Sequence, residues 1–265
     1  MSNKNLVYVH NATSLDLLLK SIQSYIKHND GLNVYVFAAS ERISTIQKFF
    51  LKDKVNLEIV FLTLKGIDIL KNARNTSGLP KETLYRLLLP LNIQVPILYV
   101  DYDTFCVGPI EKFKFETLLS AIPDLGESPT RNKRMGVDCP RQYFNAGVLF
   151  WRLDLLNEES YLIELYKILK ESNYEHDQDI LNIMYLNTYY SLSRNLNYSP
   201  LMFFRDRFLY PTNLSGQINI KIIHTVGPMK PWLKPFPKRL LRRLPKFENR
   251  SWDRRAIRYF IRYSL

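Results

Sequence analysis

Cysteine is nearly absent. Cys106 and Cys139 are the only two in 265 residues, too few for a disulfide framework, and both suit free thiols in a reducing compartment. Long apolar runs are missing as well: no stretch approaches the roughly 20 residues that cross a bilayer. The opening MSNKNLVYVHN lacks the apolar core of a secretory leader. These absences point to a protein made and kept in the cytoplasm. No internal repeat or low-complexity tract interrupts the chain. Acids are scarce in one place only. From Leu233 to the end, eleven Lys and Arg face Glu248 and Asp253, so this segment carries +9 of the net +12. Whatever the basicity serves therefore belongs to the tail.

What is present is ordinary for a globular protein: 46% hydrophobic and 23% charged residues, with enough chain for one large domain or one domain and an appendage. The first half alternates two periodicities. NLVYVHN, LNVYVFAAS, NLEIVFLTL and PILYVDYD read as strands. Between them, TSLDLLLKSIQSYIKH sets Leu15, Leu18, Leu19, Ile22 and Ile26 on one helical face, ERISTIQKFF makes a short helix, and LPKETLYRLLLPLNI starts as a helix that ends near Pro90. Such alternation implies a mostly parallel sheet with helices on both faces. The second half is more mixed. AGVLFWRLDLL begins as a strand, SYLIELYKILKES has helical spacing at Leu162, Leu165, Tyr166 and Leu169, HDQDILNIMYLN is a further helix, and IKIIHTVG a further strand. The polar stretch from Asp124 to Gln142 reads as a loop over the site.

The chemistry concentrates in ILYVDYDTFCVG. Asp101 and Asp103 stand one residue apart at the end of an apolar strand, where ligands bind in open parallel sheets. Burying carboxylates beside Val100 and Phe105 is unfavourable unless a cation balances them. Hard oxygen ligands suit Mg²⁺ or Mn²⁺, which keep open positions for a substrate's phosphates. A turn-capping role is the alternative, because D-x-D alone is a common chance pattern.

Five segments in order carry a resemblance: LPKETLYRLLLP, LYVDYDT, YFNAGVLFWRLDLL, HDQDILNIMY and IIHTVGPMKPW. Together the chain resembles glycosyltransferase family 8, retaining enzymes of the GT-A (Rossmann-like) fold that use nucleotide sugars. The family includes bacterial galactosyl- and glucosyltransferases of surface glycans and adhesins, and the glycogenins. The resemblance runs from the first strand to Trp232. It implies a catalytic domain over residues 1–232 and a small, basic helical extension over 233–265.

By that resemblance Asp101 and Asp103 flank Tyr102 as the donor-binding D-x-D, and His224 is the metal's third ligand. Two carboxylates with a neutral imidazole suit Mn²⁺ better than an all-oxygen site would. Gly227 and Lys230 fall on the diphosphate, Arg86 near the sugar and phosphate, and Asn145, Ala146 and Gly147 along the sugar. Arg86 also reads as a structural salt bridge to one of the acids, a role compatible with the first. Asp177 and Gln178 match the pair beneath the sugar, and Asp124 a position near sugar and acceptor. Capping a helix is the other reading of Asp177. An amide is no strong covalent nucleophile, which favours front-face substitution with the β-phosphate taking the acceptor's proton. The chain departs from the family at VHNATS. The usual acid and stacking tyrosine after the first strand are replaced by His10, Asn11 and Thr13, of which Asn11 can still bond a uracil edge.

The implied reaction moves a hexose, galactose ahead of glucose, from a UDP-sugar to a sugar hydroxyl of a bacterial glycan or glycosylated adhesin. Richness in Lys, Asn, Ile and Tyr, as in low-GC genomes, tilts the acceptor towards capsule or adhesin. A sugar-phosphate nucleotidyltransferase would need a glycine-rich loop after the first strand, and VHNATSL has none. An inactive partner subunit would have lost metal ligands, yet Asp101, Asp103 and His224 are all present. In the tail, helical spacing from Ser251 aligns Trp252, Ala256 and Phe260, with Arg254, Arg258 and Arg262 as a basic stripe. That profile fits an interfacial helix on an anionic membrane or an add-on packed against the catalytic domain. A nucleic-acid surface ranks below both.

Overall fold

The computed structural model of the protein describes residues 4–52, 59–71, 73, 81–110, 117–124, 143–171, 174–199 and 219–225. Nine strands and four α-helices are found among them: β1 (Lys4–Val9), α1 (Leu15–His28), β2 (Leu32–Ala38), α2 (Ser40–Lys52), β3 (Ile59–Thr63), β4 (Pro96–Val100), β5 (Thr104–Cys106), β6 (Leu119–Pro123), β7 (Phe144–Arg152), α3 (Glu158–Glu171), α4 (Asp177–Tyr185), β8 (Tyr190–Ser191) and β9 (Ile222–His224). Seven strands form one sheet in the order β3-β2-β1-β4-β7-β6-β8, and β5 pairs with β9 in a second, two-stranded sheet. The large sheet is mostly parallel. Only β4–β7 and β6–β7 run antiparallel. No described helix is long and apolar enough to cross a membrane.

The period-2 alternation expected of strands sorts the core into two layers. Leu6 and Tyr8 of β1, Val34 and Val36 of β2, Leu98 and Val100 of β4, and Val148 and Phe150 of β7 pack with α1 and α2 on one face. Val7, Phe37, Ile97, Tyr99, Leu149 and Trp151 point to the other face, against α3, α4 and the 3-10 helix Lys81–Leu91. Each fully buried aliphatic or aromatic side chain contributes about 1.5–3 kcal/mol, so both faces hold the sheet rigid beneath its loops.

Three details differ from the sequence expectation. The segment expected to stop near Pro90 does stop there, at Leu91, but it is a 3-10 helix and carries Pro90 inside it. An i→i−3 pattern would need an N–H at residue 90 for the Leu87 carbonyl, and proline has none. The buried Tyr161 hydroxyl donates to that carbonyl instead, at 2.7 Å. In α3 the buried face is Tyr161, Leu165 and Ile168, whereas Tyr166 is exposed; contact with the 3-10 helix rotates the face. In α1, Ser21, Ser24 and Tyr25 are buried beside the expected leucines and isoleucines. Polar residues are admitted there because β5 docks its backbone on the helix. The Ser21 hydroxyl donates to the Thr104 carbonyl (2.6 Å), the Tyr25 hydroxyl to the Thr104 hydroxyl (3.0 Å), and the Cys106 N–H to the Ser24 hydroxyl (2.9 Å). Burial pushes the Cys106 thiol up to about 11, as suits an inert core cysteine.

Strand order reverses at β1: β2 and β3 lie on one side and β4 on the other. A crevice opens outside the carboxyl ends of the strands at such a switch point. The residues that follow β1 and β4 are His10, Asn11 and Asp101.

Candidate active site

The turn after β4 is built by its own side chains. The Asp101 N–H donates to the Gly147 carbonyl on β7 at 2.9 Å, and the Thr104 N–H and hydroxyl both return to the Asp101 carbonyl, at 3.1 and 2.7 Å. β9 then lies antiparallel to β5 with His224 opposite Thr104. Thr225 clamps the Asp103 carbonyl with its N–H (3.1 Å) and its hydroxyl (3.0 Å). The result brings three groups from distant parts of the sequence together. His224 Nε2 lies 3.3 Å from Asp103 Oδ1 and 3.7 Å from Asp101 Oδ2. Asp103 and His224 are buried, and Asp101 is half-buried.

A divalent cation fits these donors. One ligand atom from each of the three residues lies within 4.8 Å of the others, close enough for a single ion to touch all three. Burial alone would lower the His224 pKa, but Asp103, by charge and hydrogen bond, and Asp101 outweigh it, so the pKa is raised. A cation placed there would take over the charge balance that the proton otherwise supplies. Gly147 completes the cradle. A Cβ built on it would sit 2.0 Å from Cε1 of His224 and 2.7 Å from Nδ1, so only glycine lets the ring occupy this place.

Arg86 anchors the floor. It is buried in the 3-10 helix and reaches two acids: Nη2 lies 3.0 Å from Asp101 Oδ1 and Nε 2.5 Å from Asp177 Oδ2. The Asp177 contact is an ion pair without hydrogen-bond alignment. Nη1 donates to the Ala146 carbonyl at 2.6 Å, and the guanidinium stacks over Tyr99, 4.9 Å from the ring centre. Tyr99 in turn donates to Asp101 Oδ1 at 2.7 Å. Burial disfavours the Arg86 charge, but Asp101 and Asp177 more than offset that and raise its pKa. Asp177 is raised by burial, against the opposing pull of Arg86. The salt bridge read for Arg86 from sequence thus exists with both acids.

The FNAG and HDQD segments meet through amides. Ala146 N–H donates to Gln178 Oε1 at 2.9 Å, and Gly147 N–H to Asn145 Oδ1 at 3.0 Å. Asn145 Nδ2 lies 3.2 Å from both Asp124 Oδ2 and Gln178 Oε1, and Gln178 Nε2 donates to Asp124 Oδ2 at 3.2 Å. Asp124 therefore joins the group at the end of β6. Sequence reading missed two asparagines here. Asn182, one turn along α4 from Gln178, exchanges hydrogen bonds with both backbone groups of Phe144 at 2.8 and 2.9 Å, fixing α4 to β7. Its i+4 spacing from Gln178 was the available signal. Asn197 accepts at Oδ1 from His224 Nδ1 (2.9 Å) and donates to Asn145 Oδ1 (2.8 Å). Nothing in RNLNYSP marks it.

Asp177 does not cap α4 with its side chain. Asp179 does that work, accepting the Glu175 N–H at 2.8 Å and the Tyr143 hydroxyl at 2.7 Å. The grouping of Glu175, His176 and Asp179 is thereby a helix start.

At the other end of the crevice, His10 is buried with Ala12 N–H donating to its Nδ1 at 3.0 Å, and its ring meets Tyr102 edge-on at 4.9 Å. Burial lowers the His10 pKa to about 4. Asn11 Oδ1 accepts from the Thr13 N–H (3.2 Å) and hydroxyl (2.5 Å). Ala12 and Ser14 have positive φ, 64° and 52°, and are the only such non-glycine residues described. The strained backbone coincides with the segment that departs from the family pattern. Gly227, Lys230, most of the Asp124–Gln142 stretch and the tail from Leu233 lie outside the described residues.

The profile described as "Glycosyl transferase family 8" matches residues 5–235. No curated protein matches the sequence. Among solved structures, the galactosyltransferase LgtC in complex with donor and acceptor sugar analogues is similar over 98% of this chain and 95% of its own, with a TM-score of 0.67 and 18% identity. The glycosyltransferase GlyE of Streptococcus pneumoniae TIGR4, in its apo form, aligns with 100% of this chain and 60% of its own, with a TM-score of 0.63 and 19% identity. The bifunctional glycosyltransferase WbbM covers 87% of this chain and 47% of its own, with a TM-score of 0.64 and 18% identity. At such identities these likenesses speak to the fold.

Proposed function

Because the chain belongs to glycosyltransferase family 8, we propose that it is a retaining hexosyltransferase that takes galactose, or next glucose, from a UDP-sugar to a sugar hydroxyl of a bacterial surface glycan or glycosylated adhesin. The observation that carries this reading is the convergence of Asp101, Asp103 and His224 on the same rim as the Asn145–Gln178–Asp124 amide group. Asp101, Asp103 and His224 would hold a divalent ion, Mn²⁺ ahead of Mg²⁺, whose charge offsets that of the departing diphosphate.

The residues divide the remaining work. Asn11 faces the nucleotide end, with Tyr102 between the two acids. Gly227 and Lys230 meet the diphosphate by family resemblance. Asn145 and Asp124 hold sugar hydroxyls, and Arg86 braces the Ala146 carbonyl against Asp101 and Asp177. Gln178 keeps its carbonyl oxygen tied to the Ala146 N–H, and Asp177 is buried against Arg86. Neither is an open nucleophile, which favours front-face displacement: the acceptor hydroxyl attacks from the leaving-group side and its proton passes to the β-phosphate. Residues 1–232 form the catalytic unit, and 233–265 a basic, aromatic extension to it. The protein works in the cytoplasm, where its donor is made.

Mixing the protein with UDP-galactose and Mn²⁺ should release UDP by slow hydrolysis. Asp103→Asn should abolish this and weaken UDP binding only when Mn²⁺ is present. An equal loss of UDP affinity in EDTA would remove the metal from the argument.

A further inference from the structure

Two main-chain N–H groups determine which nitrogen of His224 carries its proton. The Gly147 N–H is a donor in any assignment, so the Asn145 atom 3.0 Å from it is the carboxamide oxygen. The Ala146 N–H likewise fixes Gln178 Oε1, and Asn145 Nδ2 turns to that oxygen and to Asp124. The Asn197 atom 2.8 Å from Asn145 Oδ1 must then be its NH₂ group. Its other end, the oxygen, faces His224 Nδ1 at 2.9 Å, and only a protonated Nδ1 satisfies it. Nε2 is then the ring atom turned to Asp103 and Asp101: it shares a proton with their carboxylates while the ring is cationic, and offers its lone pair to a cation once that proton leaves. Asn197 is 2% exposed and His224 3%, so water does not easily substitute for either contact.

We propose that Asn197 is a positioning residue that holds His224 in its metal-binding tautomer and, through its NH₂ group, ties that histidine to the Asn145–Gln178 pair. The inference rests on Asp101, Asp103 and His224 being a metal site. Metal ligation by histidine is generally set by the partner of the ring's other nitrogen, and loss of that partner weakens binding roughly 10- to 100-fold. What is particular to this chain is the partner: an amide with two ends, one committed to the metal's ligand and one to the proposed sugar contact. A carboxylate or a carbonyl could orient the histidine but could not donate to Asn145.

Two substitutions separate the ends. Asn197→Ala removes both contacts. Asn197→Asp keeps an acceptor for Nδ1–H but sets an oxygen against Asn145 Oδ1. Mn²⁺ affinity is read by the EPR signal of the free ion, the His224 tautomer by long-range ¹H–¹⁵N NMR of the metal-free protein at alkaline pH, and folding by thermal melts. The expected result is a protonated Nδ1 in the wild type, Mn²⁺ binding weakened roughly 10- to 100-fold in the Ala variant, and restored to within a few-fold in the Asp variant. UDP-galactose turnover should fall in the Asp variant despite its bound Mn²⁺. If the Ala variant does not fold, the wild-type tautomer and the Asp variant still decide. A wild-type His224 protonated at Nε2 overturns the inference, as does an Ala variant with unchanged Mn²⁺ affinity or an Asp variant that binds no better than Ala. A wild type with Nδ1–H and no Mn²⁺ binding would instead overturn the metal reading on which the inference rests.

Discussion

Gly147→Ala tests the cradle with a single methyl group. The added Cβ would lie 2.0 Å from Cε1 of His224, so the ring must retreat by roughly 1.4 Å to reach ordinary contact. Yielding is difficult, because the ring is buried and Asn197 holds its Nδ1 at 2.9 Å. Overpacking of this kind costs typically 1–3 kcal/mol, which for a domain of this size is a fall in Tm of about 2–12 °C. The retreat also carries Nε2 away from Asp103 and Asp101. Mn²⁺ affinity should drop by at least the roughly 10- to 100-fold seen when a ligand loses its orientation, while UDP binding in EDTA stays as it was. The assay is a melt and an Mn²⁺ titration of Gly147→Ala in the wild-type and His224→Ala backgrounds. With the ring gone the methyl has room, so its stability cost should disappear in the double mutant. An equal cost in both backgrounds, or an alanine variant that binds Mn²⁺ like the wild type, would refute the cradle.

Gln178→Ala should slow turnover while leaving UDP affinity nearly unchanged, because its contacts are with Asn145, Ala146 and Asp124 and not with the nucleotide end; a defect mainly in UDP binding would contradict the placement. His10, held neutral to about 4 by burial, takes up its proton in the unfolded chain from about pH 6.5 downward. Stability from this group is therefore complete above pH 6.5 and is lost as pH falls towards 4, by up to about 3 kcal/mol. In urea melts His10→Asn should lose less stability between pH 7 and pH 4.5 than the wild type, and an identical loss would show that His10 does not titrate there. Deleting residues 246–265 removes Trp252, Phe260 and the Arg254, Arg258, Arg262 stripe. If that segment is a packed add-on, folding or acceptor transfer suffers; a soluble, fully active truncation with unchanged acceptor use, or one that loses only binding to anionic vesicles, argues against packing.

The parallel half of the sheet was legible because each strand pairs a continuous apolar run with a clear turn, as LVYV does with its neighbour VYVF. β5, β6 and β8 were not: β5 and β8 have only three and two residues, and the short LSAIP of β6 does not alternate. Pairing partners rather than local pattern create such strands. The candidate metal ligands Asp101, Asp103 and His224 could be named because carboxylates one residue apart and a histidine in a family motif carry chemical signals. Arg86, too, stood out as a charge on an apolar helix. Asn197 carried no signal, since an asparagine in a polar loop is the commonest thing a loop contains. Its importance comes from a contact with a residue 27 positions away, which no local pattern encodes.

The same contrast explains how the two halves of the site are joined. Asp101 and Asp103 follow directly from β4, the most regular part of the fold, so their positions are inherited from sheet geometry. His224 comes from β9, three residues paired only to β5 and bridged to Tyr198, and so has little regular structure of its own. Its place is set by neighbours: Thr104 across the ladder, Thr225 on the Asp103 carbonyl, Gly147 beneath the ring and Asn197 at Nδ1. Two of these, Gly147 and Asn197, also contact Asn145. A rearrangement of Asn145 on binding a sugar would therefore be felt at His224 without any movement of the sheet. In this arrangement the loosest of the three proposed metal ligands is the one that shares its supports with the proposed sugar contact.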